Sequence, residues 1–83
     1  MDDEVALRWL KTAADNGHML AQNNLGARYY TGDGVDQDLK LAYRYFFLAA
    51  SQGDRKAGKN LDTIAKQLPE ADLAECRAGA DTD

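Results

Sequence analysis

The sequence predicts an all-α protein: an α/α superhelix, a helical-repeat solenoid of antiparallel helix pairs ending in a short C-terminal capping helix. Three observations lead there. The chain repeats itself: a shift of 36 residues lays Ala6–Gly17 onto Ala42–Gly53 without a gap. This register matches Arg8 with Arg44, Trp9 with Tyr45, Ala13-Ala14 with Ala49-Ala50 and Gly17 with Gly53, and it continues through Ala21 and Ala57 to Asn24-Leu25 and Asn60-Leu61. Self-similarity at such a period marks stacked supersecondary units. Apolar residues also recur at the spacing of one helix face. Finally, glycines and the single proline leave only short connections between these runs, so consecutive helices lie antiparallel and stack unit on unit.

The first helix is expected over residues 3–16, where Ala6, Trp9, Leu10, Ala13 and Ala14 share helical spacing and Gly17 supplies a left-handed residue to close the last turn. A second, over 19–30, sets Ala21, Leu25 and Tyr29 in one stripe. Gly26 inside it costs about 1 kcal/mol relative to alanine, so a neighbouring helix is expected to need that space. Gly32 and Gly34 then offer the backbone angles of a chain reversal, with Val35 tucked beneath. Asp38 caps a third helix over 38–52 by accepting the free N–H groups of its first turn. That helix carries Leu39, Ala42, Tyr43, Phe46, Phe47 and Ala50, a face broad enough to be sandwiched. Gly53 and Asp54 repeat the stop and cap before a fourth helix over 55–68, marked by Leu61, Ile64, Ala65 and Leu68. Pro69 breaks it and is well placed to open a fifth over 70–78, with Leu73 and Cys76 on one side. Residues 79–83 are expected to form a flexible tail.

At 83 residues the chain is one small domain or a fragment of a longer array. A chain of this size buries only a little over ~60% of its unfolded surface, so its stability margin should be modest. Its 45% hydrophobic and 29% charged residues suit a folded globular chain rather than a disordered one. The formal net charge of -4, with ten scattered basic residues, argues against nucleic-acid binding. The longest apolar run, Tyr45 to Ala50, falls far short of the ~18–20 residues that span a bilayer, so no membrane insertion is expected and the chain reads as soluble. One cysteine, Cys76, excludes an internal disulfide and leaves the compartment open.

The segment AQNNLGARYYTGDGVDQDLKLAYRYFFLAASQGD, Ala21 to Asp54, resembles the Sel-one-like repeat, a relative of the tetratricopeptide repeat. Ala21, Leu25, Gly26, Tyr29, Gly32, Gly34, Val35, Asp38, Ala42, Ala49, Ala50 and Gly53 stand at the positions of that repeat's pattern. The resemblance covers about residues 4 to 68, and LPEADLAECRAGA after it looks like the terminal helix that closes such arrays. The chain departs from the pattern at Asp62, where glycine is missing, and at Asp36, where proline is common. Asp62 in place of Gly26, and Ala65-Lys66 in place of Tyr29-Tyr30, suggest that nothing packs tightly on the fourth helix one repeat later. The resemblance implies a non-enzymatic scaffold or adaptor that binds other proteins, and a cytoplasmic or periplasmic place if the source is bacterial.

No catalytic residue, cofactor or metal is expected. His18, the only histidine, follows a helix stop with no nucleophile at fixed spacing and reads as a solvent-facing turn residue. Cys76 shares a helix side with Leu73 and reads as a half-buried structural thiol. One Cys and one His cannot make a zinc site. Asp33, Asp36 and Asp38 suggest a calcium loop, but an EF-hand starting at Asp33 would put Val35 and Arg44 where carboxylates are required. A phosphate cradle fails as well, because Gly32-Asp33-Gly34 continues without the further glycine or the Gly-Lys-Ser/Thr that such loops need. Gly17, Gly32, Gly34, Asp38 and Gly53 are therefore read as structural turn residues.

Binding of a protein or peptide remains. The resemblance implies that the first helix of each pair lines the concave side, which makes Asn24, Arg28 and Asn60 the candidate partner-binding residues. Asn24 and Asn60 are repeat equivalents, and Arg28 lies one turn beyond Asn24, where its forked guanidinium suits a carboxylate or peptide backbone. The structural alternative is that both asparagines bond a neighbouring helix or solvate the surface. Trp9, Tyr43, Tyr45 and Phe47 read either as core or as an interface patch. The competing function is a terminal capping segment of a longer array, or a self-associating module forming a homo-oligomer.

Overall fold

The computed structural model describes residues 3–81. Five helices follow one another: α1 (Asp3–Asp15), α2 (Met19–Thr31), α3 (Leu39–Ser51), α4 (Arg55–Gln67) and α5 (Glu70–Asp81), with no strand among the described residues. α3 is the hub, packing against α2, α4 and α5, while α1 packs on α2. The stacking draws the molecule out to 38 × 24 × 22 Å, as an all-α helical-repeat arrangement requires.

The repeated Ala-Ala-x-x-Gly is a helix terminator, and both copies work the same way. Gly17 and Gly53 hold φ of 89° and 101°, angles that side chains resist. At the first, the N–H groups of Gly17 and His18 donate to the carbonyls of Ala14 and Ala13 at 3.0 Å each. At the second, Gly53 and Asp54 donate to Ala50 and Ala49 at 2.9 and 3.3 Å. The orphan carbonyls of each last turn are thereby satisfied in the Schellman manner.

Two expectations are corrected at the C-terminus. Helix α5 does not stop at Ala78 but runs on to Asp81, so residues 79–81 are helical rather than tail. The reason is local: a single glycine between Ala78 and Ala80 lowers helix propensity without ending a helix. Positions 82 and 83 lie outside the described residues. Asp38 and Gln52 flank α3 as its caps, one residue outside each helical end.

The core is built largely of small residues. Ala42, Ala49 and Ala57 are fully buried, and such side chains let helix backbones approach closely. Leu25 and Ile64 fill the volume between them, each fully buried and contributing roughly 1.5–3 kcal/mol by leaving water. Gly26 is buried too, with the ring of Phe46 pressed against its backbone. Tyr29 and Tyr45 stack with ring centroids 5.8 Å apart, tying α2 to α3.

Among the described residues one polar side chain is buried. Gln22, only 3% exposed, donates through Nε2 to the Ala14 carbonyl at 3.0 Å and accepts through Oε1 from Gln52 Nε2 at 2.7 Å. This links the end of α1, the start of α2 and the end of α3. α5 is held on α3 by Lys40, which meets Glu75 at 3.0 Å and Asp72 at 3.4 Å, and by Cys76, whose half-buried Sγ lies 4.0 Å from the Lys40 carbonyl. Hydrogen bonds that the Lys40 ammonium donates to Glu75 and then Asp72 raise it above its ordinary value, and burial pushes the Cys76 thiol up, away from thiolate reactivity.

Candidate functional site

Helices α2 and α4 run parallel, side by side across α3. Their starts are joined by Asn23, whose Nδ2 donates to Asp54, and their ends by Gln67, whose Nε2 donates to the Tyr30 hydroxyl at 2.6 Å. Asp54 is also the N-cap of α4, accepting the N–H groups of Lys56 at 2.9 Å and Ala57 at 3.3 Å. Burial alone would push its carboxyl up. The donors, Asn23 first and then Ala57 and Lys56, outweigh that and hold it below the ordinary value.

Between these two helices lies a hollow of about 160 Å³, lined by Ala27, Tyr30, Thr31, Phe46, Asn60 and Thr63. Its walls are mostly apolar, with Phe46 reaching in from α3. Thr31 and Thr63 donate their hydroxyls back to the Ala27 and Lys59 carbonyls. No hydrogen bond ties the exposed Asn60 amide to another group among the described residues.

A second hollow of about 260 Å³ adjoins the first, sharing Ala27 and Thr31 and adding Asn24, Arg28 and Asp33. Here Arg28 Nε donates to Asn24 Oδ1 at 2.9 Å. The bond aligns the two side chains and leaves the Asn24 amino group and the outer guanidinium N–H groups available. The structure thus joins Asn24 and Arg28 and sets Asn60 on the neighbouring hollow, not in contact with them. Asn24 bonds within its own helix, not to a neighbour.

The turn after α2 braces this end of the face. Gly32 and Gly34 hold φ of 77° and 76°. Asp38 N–H donates to the Tyr29 carbonyl at 2.9 Å, and Gln37 Nε2 to the Tyr30 carbonyl at 2.8 Å. Asp38 Oδ1 then accepts the N–H groups of Lys40 and Leu41 at 3.0 and 3.1 Å, starting α3. Asp33 and Asp36 are exposed, and among the described residues no three His, Cys, Asp or Glu side chains gather as a metal would require.

The aromatic residues divide. Tyr43 is core and stacks on Phe47 at 6.4 Å, Tyr45 is half-buried, and Trp9 is 70% exposed on α1. Sequence reasoning missed Ala27, Thr31 and Thr63 as walls of the face, although they stand three, seven and three positions beyond Asn24 and Asn60 on the same helix sides. His18 is exposed at the start of α2 and makes no side-chain cap. No described helix is long and apolar enough to cross a membrane.

None of the curated proteins compared with the chain matches it. The family model for the Sel1 repeat, however, matches residues 2–18 and 20–54, more than half of the sequence, and the second matched segment takes in α2, its glycine turn and α3 as one unit. With the all-α architecture and the repeated helix terminators beside that match, the chain belongs to the Sel1 repeat family.

Proposed function

We propose that this protein is a non-enzymatic scaffold or adaptor that holds a protein or peptide partner on the concave face formed by α2 and α4, with Asn24, Arg28 and Asn60 as its polar contacts. Sel1 repeat proteins generally mediate protein–protein interaction and are typically non-enzymatic scaffolds. The observation that carries the reading is the pair of adjoining hollows. An apolar one takes a side chain beside the Asn60 amide, and a polar one offers the aligned Asn24–Arg28 pair to a carboxylate or a peptide carbonyl. The test is capture of a partner from the native source, followed by affinity measurements on Asn24→Ala and Arg28→Ala. Both should weaken binding while the melting temperature stays put, because Asn24 is exposed and Arg28 is only half-buried. Equal affinity in both variants sinks the assignment of this face.

A second reading, self-association, is favoured by one observation. Val5 and Trp9, four positions apart on α1, are 59% and 70% exposed. Sedimentation of the chain over a range of concentrations decides it: a mass independent of concentration rules self-association out.

A further inference from the structure

We infer that the groove between α4 and α5 is a second docking surface, one that takes an acidic amphipathic helix from a partner protein. Repeat equivalence shows what is open there. Leu25 of α2 is fully buried, yet its equivalent Leu61 in α4 is only half-buried, because α5 packs on α3 instead of following α4 as α3 follows α2. A groove of about 610 Å³ results, several times the hollow on the α2–α4 face. The stacked rings of Tyr43 and Phe47 contribute to its lining from α3, and Leu61 and Ala65 from α4. It lies open along α4, where Leu61 lacks the cover that α3 gives Leu25. α4 is 13 residues long, so about the same length of partner helix, roughly 20 Å, would lie along it.

Charge names the occupant. The chain carries a net charge of -4, but Arg55 and Lys59 on α4 and Arg77 on α5 all line this groove, against a single acid, Asp62. Among the described residues none of these three cations is ion-paired; the ion pairs of this region belong to Lys40. A helix with an apolar stripe for the aromatic floor and carboxylates along its flanks complements both features. The net charge of -4 disfavours an anionic bilayer, which would face the acidic remainder of the surface, whereas a single helix need touch only this patch. Asp62 is the element that tunes it: it repels the same carboxylates that the three cations attract.

The probe is a fluorescein-labelled, helix-stapled peptide of about 14 residues, with Leu and Phe at helical spacing and Glu on the flanks, beside a twin with Lys for Glu. By fluorescence anisotropy the Glu peptide should bind, more weakly as salt rises, and the Lys twin at least about tenfold less well. The double variant Arg55→Glu/Lys59→Glu should lose about tenfold in affinity for the Glu peptide, the scale of two partly screened ion pairs. Asp62→Asn should tighten it, and Asn24→Ala should leave it unchanged. Circular dichroism checks the fold of each variant, and Arg77→Glu, on a different helix, serves if the double variant unfolds. Equal binding of the two peptides, or indifference to both charge reversals, overturns the proposal. So does strong binding to phosphatidylserine vesicles through the same cations with none to either peptide.

Discussion

The ring of Phe46 lies against the backbone of Gly26, where a Cβ would sit 2.9 Å from two of the ring carbons. This contact joins packing to the candidate site, since it lets α3 close on α2 and carries Phe46 through to the hollow between α2 and α4. Alanine at position 26 would gain up to about 1 kcal/mol of helix propensity, but Phe46 is buried and the clashing atoms are at the base of its ring, so it cannot swing aside. Overpacking of this kind costs about 1–3 kcal/mol. Gly26→Ala should therefore be destabilised in urea unfolding by on the order of 1 kcal/mol net.

Gly58 makes the matched control. It too lies inside a helix, α4, but a Cβ there meets nothing within 4 Å. The same substitution should now stabilise, by up to about 1 kcal/mol, because only the propensity and unfolded-state entropy terms remain. Opposite signs for Gly26→Ala and Gly58→Ala in one unfolding series would establish that close approach, not propensity, keeps glycine in α2.

Buried Gln22 and exposed Gln52 link α2 to the end of α3. Replacing Gln22 with leucine would preserve bulk but remove both bonds; the Ala14 carbonyl keeps the Gly17 N–H and the exposed Gln52 amide turns to water, so the loss is that of ordinary hydrogen bonds, about 0.5–1.5 kcal/mol each. Gln22→Leu should lower the urea midpoint and speed amide exchange at the α1–α2 junction.

The helices and their stops were legible because each leaves a periodic or chemical trace. Apolar spacing marks Ala21, Leu25 and Tyr29, and Ala-Ala-x-x-Gly marks two identical terminators. The Gln22–Gln52 link leaves none. Its repeat counterpart at position 22 is Gly58, and a single buried amide among polar neighbours has no period. Nor did position alone reveal that Asn24 and Arg28 bond each other while Asn60 opens on a separate hollow, since that depends on how far α2 and α4 stand apart across α3. The extra turn of α5 was hidden by Gly79, a residue that ends helices in a left-handed conformation and is tolerated in their interior otherwise.

Asp54 predicts a pH dependence. Its folded carboxyl is held below the ordinary 3.8 by Asn23 and by the α4 backbone, against the opposing effect of burial. A depressed folded pKa contributes stability that is fully present above the unfolded value and is lost as pH falls through the folded one. The melting temperature of the wild type should thus drop in the acid range below about pH 4, and Asp54→Asn should show a shallower drop there. Asparagine still caps a helix, so the two should differ little in fold at neutral pH. Parallel acid profiles would show that Asp54 does not supply this linkage.

The turn over residues 32–38 carries three aspartates, yet its geometry assigns the work to its glycines. Gly34 holds φ of 76°, and a Cβ there would approach Arg28 Nη1 at 3.3 Å, so a side chain strains the backbone and crowds the guanidinium at once. A left-handed residue other than glycine costs roughly 1–2 kcal/mol, and a β-branched one more. Gly34→Val should accordingly lower the melting temperature by several degrees, on the scale of ~4–8 °C per kcal/mol for a chain of this size, and should also weaken any ligand bound through Arg28. Asp33→Asn, at an exposed position with φ below zero, should leave the melting temperature unchanged. Titrating the wild type with millimolar calcium should leave it unchanged as well. A calcium-dependent rise in melting temperature that disappears in Asp33→Asn would turn this hinge back into a metal loop, because a bound ion stabilises in proportion to the logarithm of its saturation.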